Sequence, residues 1–228
     1  MNKIIGIIPA RAGSKRLPGK NIKILKNKPL ISWIIESALE SKLLSKVVVS
    51  SDSKEIKNIS NQYPKLEFID RPVDIATDTS PAIDYVNHVL EYYSKENIFF
   101  DIITILQPTS PLTSALDIDQ CIKKLIDSDS DSVVSVMKVP HHIHPSKLKI
   151  LNKDKVLPYI EDEKKIKLAS EIKDVYSRNC SVYVSKRSVI ESGRIIGKDC
   201  RSVIMPRERS VDINDIFDFE FAKFLFDK

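Results

Sequence analysis

The sequence predicts a three-layer α/β domain built on a mostly parallel sheet, and three observations carry that expectation. Short apolar runs alternate with helix-period patterns along the chain, as they do when parallel strands are joined by right-handed helical crossovers. The first run, Ile4, Ile5, Ile7 and Ile8, is apolar on both faces and stops at Pro9, which cannot donate a ladder hydrogen bond. The length, 228 residues of which 42% are hydrophobic, suits one such domain with a small excursion.

After the first strand comes Arg11-Ala12-Gly13-Ser14-Lys15-Arg16-Leu17-Pro18-Gly19-Lys20-Asn21. Glycines let backbone N–H groups approach an anion, arginine adds a planar fork, and lysine adds a mobile charge. An open α/β sheet holds anions at this place, beyond the carboxyl end of its first strand. The spacing is not that of a Walker loop, because Gly13 and Gly19 stand too far apart and Asn21 follows Lys20. On the residues alone, a phosphate cradle and a solvated basic loop both stay open.

The remaining elements follow in order. Ile31, Ile34, Ile35, Ala38 and Leu39 fall on one face of a helix over Leu30 to Leu44, with Pro29 at its start. Val47 to Val49 is a buried strand, Ser53 caps a helix whose inner face holds Ile56 and Ile59, and Leu66 to Ile69 is the third strand. Asp70 to Ser80 shows little periodicity and reads as a loop, with Arg71 and Asp78 as a surface ion pair. Ser80 then Pro81 reads as an N-cap and first helical residue, opening a helix to about Lys95. Asp101 to Leu106 is a strand ending in Gln107-Pro108-Thr109-Ser110-Pro111-Leu112, a loop stiffened by two prolines. Ser114 with Asp117 is a capping-box start for a helix to about Ile126, and Val133 to Val139 is a strand. Leu148 to Leu157 reads as a hairpin within a projecting segment at about 140–175, whose Glu161 to Lys167 part is heavily charged. Arg178 to Val184 is a further strand that places Ser181 and Tyr183 on one side. In the final helix, which runs to Phe226, Asn214 is the expected N-cap and Asp215 sits at the positive end.

Composition narrows the function classes. The charge, 36 minus 31 or +5, is mild, and the absence of a long basic block argues against nucleic acid while suiting small anionic substrates. No apolar run approaches the roughly 18 residues of a membrane helix. Cys121, Cys180 and Cys200 are scattered and odd in number, which points to a reducing cytoplasm. Asp127 to Asp131 lacks the glycine and glutamate of an EF-hand and reads as a polar turn. His141, His142 and His144 lack nearby ligands to complete a zinc site.

The Arg11 to Asn21 loop resembles the signature of the acylneuraminate cytidylyltransferases, also called CMP-sialic acid synthetases, and the resemblance recurs along the chain. Arg71 to Ser80 is similar to the family's cytosine-contacting loop, and Gln107 to Leu112 to its second signature. Arg178 to Val184 is similar to its Arg-x-Asn-Gly-Ala-Ile-Tyr-Ile strand, and Ser210 to Asp218 to its metal motif. The resemblance implies a Rossmann-like nucleotidyltransferase that moves CMP from CTP to an acidic nine-carbon 2-keto-3-deoxy sugar, releasing pyrophosphate. It implies a homodimer formed through the excursion at about 140–175, with Lys147 reaching across the interface. Arg11, Lys20 and Asp212 are then the expected catalytic groups. The nucleotide is expected at Arg11, Ala12, Gly13, Ser14, Lys15, Lys20, Asn21, Arg71, Asp78, Thr79, Ser80 and Gln107. The sugar is expected at Gln107, Thr109, Ser110, Arg178, Asn179 and Tyr183, and Mg²⁺ at Asp212 and Asn214.

The chain departs from the family pattern at Thr113, where arginine is usual, at Cys180 and Ser181, which replace glycine and alanine, and at Asn214, which replaces a second aspartate. These departures keep two other readings open. One is a cytidylyltransferase for legionaminate, pseudaminate or 3-deoxy-manno-octulosonate; the other is a non-catalytic nucleotide-binding module.

Overall fold

A computed structural model of the chain describes residues 2–160 and 173–228. Its centre is a seven-stranded sheet built from β1 (Ile4–Pro9), β4 (Lys46–Ser51), β5 (Leu66–Asp70), β6 (Ile102–Leu106), β7 (Ser132–Lys138), β10 (Tyr176–Lys186) and β11 (Cys200–Ile204), in the order β11-β7-β10-β6-β1-β4-β5. All neighbouring pairs are parallel except those of β10, which runs antiparallel to both β6 and β7. The apolar character of β1 on both faces has its cause here. Ile4 and Ile8 face one core with α1 (Leu30–Glu40) and α4 (Ala115–Ser128), while Ile5 and Ile7 face another with α3 (Ala82–Ser94). Helices α2 (Lys54–Ser60), α5 (Arg187–Glu191) and α6 (Ile216–Phe226) complete the layers.

Two short antiparallel pairs stand outside the sheet. β2 (Ile24–Leu25) with β3 (Lys28–Pro29) leads into α1, and β8 (Lys149–Asn152) with β9 (Lys155–Pro158) forms the expected hairpin. The charged stretch Glu161 to Lys167 lies outside the described residues for all its length.

Several boundaries differ from the sequence expectation. α1 stops at Glu40, four residues before Leu44, because Ser41 leaves the helical backbone and its hydroxyl bonds Asp119. Pro81 is the N-cap of α3, and the Ser80 hydroxyl bonds Thr77 within the preceding loop instead of capping. The final helix is capped by Asp215, one residue later than the expected Asn214. α4 runs on through Asp127 and Ser128, two residues past the expected end at Ile126, so the polar turn is confined to 129–131, with Asp129 in the left-handed region.

Candidate active site

Strands β1, β4, β5 and β6 run parallel, so the loops after them gather at one edge of the sheet. The loop after β1 is folded by Gly19, whose φ of +64° lies in the region that favours glycine. Leu17 anchors it from below, in a small apolar cluster with Leu25, Leu30, Val211, Ile213 and Phe219. That cluster joins the signature loop to a segment 193 residues away in the chain. Lys20 Nζ donates to Ile213 O at 2.7 Å, and Ile213 N donates to Thr109 O at 2.8 Å. The carbonyl that holds Lys20 thus lies between Asp212 and Asn214, and the loop after β6 is tied to the same strand of chain. Burial lowers the pKa of the Lys20 ammonium, the Asp212 charge opposes that shift, and Arg16 and Arg11 reinforce it.

Between these loops lies a cavity of about 270 Å³. Arg11, Ser14, Lys20 and Asn21 form one wall, Arg71, Ile75, Thr77, Asp78 and Ser80 a second, and Gln107, Pro108 and Thr109 a third. Arg71 is buried and held on three sides. Nε donates to Ser50 Oγ at 3.0 Å, Nη2 donates to Ser50 O at 2.6 Å, and the guanidinium lies 4.7 Å from the centre of the Tyr85 ring. Burial lowers its pKa, and the ring face together with the two acceptors supports the cation in that setting. Arg71 therefore does not pair with Asp78. Instead the Asp78 carboxylate meets Arg11 and Lys15, and those two cations, Lys15 first, hold its pKa below the usual range.

A second cavity of about 240 Å³ shares Ala82, Tyr85 and Gln107 with the first, and adds Ile105, Arg178, Tyr183, Ile195 and Ile196. Desolvation, and then a bond to Cys180, raise the pKa of the Tyr183 phenol, so it stays a neutral hydroxyl. Asp212 and Asp218 line a third cavity of about 340 Å³ with Met137, Arg207, Phe221 and Leu225. Asn214 Nδ2 donates to Asp212 Oδ2 and to Asp212 O, both at 3.1 Å.

Residues 5–196 match the family model described as Cytidylyltransferase. The chain belongs to the cytidylyltransferase family. CMP-N,N'-diacetyllegionaminic acid synthase of Legionella pneumophila is 33% identical over 97% of this chain and 95% of its own length. N-acylneuraminate cytidylyltransferase of Escherichia coli is 32% identical over 96% of this chain and 51% of its own length. The solved structure of CMP:2-keto-3-deoxy-manno-octonic acid synthetase complexed with CTP superposes with a TM-score of 0.73 at 17% identity, over 99% of this chain and 98% of that one, a likeness of fold. The family places the protein among the nucleotidyltransferase enzymes.

In this cytidylyltransferase the expected site residues fall into groups. Arg11, Ser14, Lys20, Asn21, Arg71, Asp78, Ser80, Gln107 and Thr109 line the first cavity. Ala12, Gly13 and Lys15 belong to the same loop, and Thr79 to the facing one, its hydroxyl 3.2 Å from that of Thr77. Arg178 and Tyr183 open on the second cavity with Gln107. Ser110 is fully buried and its hydroxyl lacks a partner among the described residues. Thr113, where the family pattern has arginine, is buried too and donates to Ser110 O at 2.9 Å, which closes the proline loop from within.

Asn179 is placed differently from the sugar contact expected of it. It is buried, its oxygen accepts from Ser135 Oγ at 2.6 Å, and its amide nitrogen donates to Ser210 Oγ at 2.9 Å and contacts Met205 Sδ at 3.2 Å. These bonds pin β10 where its register shifts between Arg178 and Tyr183. Cys180 occupies that irregularity at φ +60°, a left-handed backbone that explains glycine in the family pattern. His144 is buried with Ser146 and Lys173 O as its partners, a structural role, and Lys147 is exposed.

Asp52, Tyr85, Ile195 and Ile196 went unread in the sequence. Asp52 Oδ1 accepts from Ala12 N at 2.8 Å and so holds the signature loop. Its position directly after a buried strand was the available signal. The two isoleucines carry none, since an apolar pair in a loop looks like core until its neighbours are known.

Proposed function

We propose that the protein transfers CMP from CTP to an acidic 2-keto-3-deoxy sugar of the nonulosonate type, releasing pyrophosphate. The observation that carries this is the bond from Lys20 to the carbonyl between Asp212 and Asn214, which sets a phosphate-loop cation beside the two donors of the metal motif. The relatives named for legionaminate and neuraminate, at 33% and 32% identity, support the substrate class. Arg11, Lys15 and Lys20 hold the triphosphate, Arg71 and its loop the cytosine, and Gln107, Arg178 and Tyr183 the sugar. The reaction itself is alignment and charge neutralisation, since phosphoryl chemistry of this kind needs no protein nucleophile. Cys121, a thiol by type, is fully buried and its pKa is raised by that burial.

Mg²⁺ fits the donors present. Asp212 and the Asn214 amide oxygen would hold the ion together with phosphate oxygens and water, a ligand set that suits Mg²⁺, since among the described residues no group of three or more His, Cys, Asp or Glu side chains could hold it alone. When bound, the ion supplies charge neutralisation at the phosphates and acidifies the attacking hydroxyl.

The β8–β9 hairpin supports a homodimer. Ile150 and Leu157 are exposed on one face of it and Leu151 and Val156 on the other, and a two-stranded ribbon that is apolar on both faces is marginal until covered. Light scattering at micromolar concentration is expected to give a dimer, and a monomer removes the role of Lys147. Free Cys121, Cys180 and Cys200 suit a reducing cytoplasm, and no helix among the described residues is long and apolar enough to cross a membrane.

The deciding experiment is pyrophosphate release from each nucleoside triphosphate with Mg²⁺ and a panel of 2-keto-3-deoxy acids. CTP with a nine-carbon acid is expected to lead. Comparable kcat/KM with GTP would remove the Arg71 loop as a cytosine reader, and release with no acid of the panel would leave a binding module.

A further inference from the structure

We propose that Asp78 is a specificity-determining residue that competes with the substrate's phosphates for Arg11 and Lys15, and thereby sets how loosely pyrophosphate is held. The inference rests on the nucleotidyltransferase reading of the phosphate loop given above. Arg11 Nη2 donates to one oxygen of the Asp78 carboxylate, and Lys15 Nζ lies 2.6 Å from the other. A single anion thus engages two of the loop's cations, each through its own oxygen, as a bridging phosphate group does. Lys20 Nζ donates instead to Ile213 O at 2.7 Å, which leaves its other two N–H donors for phosphate oxygens.

Asp78 reaches these cations from a different loop, 67 residues on from Arg11. That loop is pre-folded beside it: Thr77 N donates to Ser80 Oγ at 3.2 Å, and Ser80 N donates to Thr77 Oγ1 at 3.1 Å. The turn presents the carboxylate to the cavity wall without further ordering. With its pKa lowered by Lys15 and Arg11, the group stays an anion across the neutral range.

A polyphosphate carries several charges and displaces one carboxylate from shared donors. Pyrophosphate that has been cut from the nucleotide has lost the base and ribose contacts that helped it win. Asp78 then retakes Arg11 and Lys15, and the leaving group departs. A nucleoside monophosphate lacks the pyrophosphoryl end and meets this competition little.

The test is calorimetric binding of inorganic pyrophosphate and of CMP to the full chain as wild type, Asp78→Asn and Lys15→Ala, with thermal melts alongside. Asp78→Asn is expected to bind pyrophosphate roughly three- to tenfold more tightly, with CMP within about twofold of wild type, because removing a competing charge at an exposed site has modest effects. Lys15→Ala is expected to weaken pyrophosphate. Equal or weaker pyrophosphate binding by Asp78→Asn, with Lys15→Ala still weakened, overturns the competition and leaves the phosphate loop standing. No change in either variant removes the phosphate assignment and the competition together.

Discussion

At the start of α4, Ser114 Oγ accepts from Asp117 N at 3.3 Å while Asp117 Oδ2 accepts from Ser114 N at 2.9 Å. At the start of α6 the same exchange recurs between Asp215 and Asp218, at 3.1 and 3.4 Å. The surroundings differ. Asp117 is buried and its second oxygen takes Arg209 Nη2 at 2.8 Å, so this box closes inward and ties α4 to the segment just before Asp212. Asp215 is exposed, and Asp218 also accepts from Asn214 N at 2.8 Å beside the cavity that Asp212 lines. One motif thus serves stability at one helix, and at the other it frees a neighbour: with Asp215 as cap, the Asn214 side chain is left to reach Asp212. The same local device has different consequences because its outer partners differ.

The largest expected effect tests the α6 side. Asp212→Asn is expected to lower kcat by about 10³ or more, since roughly 4 kcal/mol of charge stabilisation at the phosphates is at stake. Its melting temperature is expected to match wild type, because Asp212 belongs to neither capping box. Near-normal turnover in this variant would reduce the α6 motif to a helix start like that of α4.

Lys20→Ala comes next. Loss of a charged donor to transition-state oxygens costs about 3 to 4 kcal/mol, or roughly 10² to 10³ in kcat/KM. The cation is required, and its pKa is lowered by burial, so the wild-type kcat/KM is expected to fall with rising pH earlier than an ordinary lysine would dictate. That alkaline limb is expected to vanish in Lys20→Ala; a variant within about threefold of wild type leaves Lys20 only as a structural tie to Ile213 O.

The two boxes themselves are compared by Asp117→Ala and Asp215→Ala. Losing the buried carboxylate of Asp117 is expected to cost about 2 kcal/mol and to lower Tm by about 4 to 8 °C, against about 1 kcal/mol and 2 to 4 °C for the exposed cap. Calorimetry showing the reverse order would mean that the Arg209 contact contributes nothing. The smallest effect is expected of Asn214→Asp. It leaves the Asp215 cap in place and adds a negative oxygen beside Asp212, so turnover should stay within about threefold while half-saturation moves to lower Mg²⁺. An unchanged Mg²⁺ requirement would place the Asn214 side chain outside the metal donors.

Much of this molecule follows from local chemistry. The strand at Ile4 to Pro9, the cap at Ser53, the box at Ser114 and the hairpin after Leu148 are set by residues close in sequence, and each stands in the structure. The cap of α6 was also legible, since Asp218 stands three positions after Asp215 whereas Phe217 stands three after Asn214. Local pattern cannot decide which side chains meet across the chain. Tertiary packing alone carried Lys20 to the Ile213 carbonyl, through an apolar cluster fed from both ends of the sequence. It also moved Arg71 from a surface ion pair to a buried shelf on Tyr85, and gave its place beside Asp78 to Arg11 and Lys15. The physical reason is range: capping and periodicity act within a turn or two of backbone, whereas a charge takes whichever partner the packed core brings within hydrogen-bond distance.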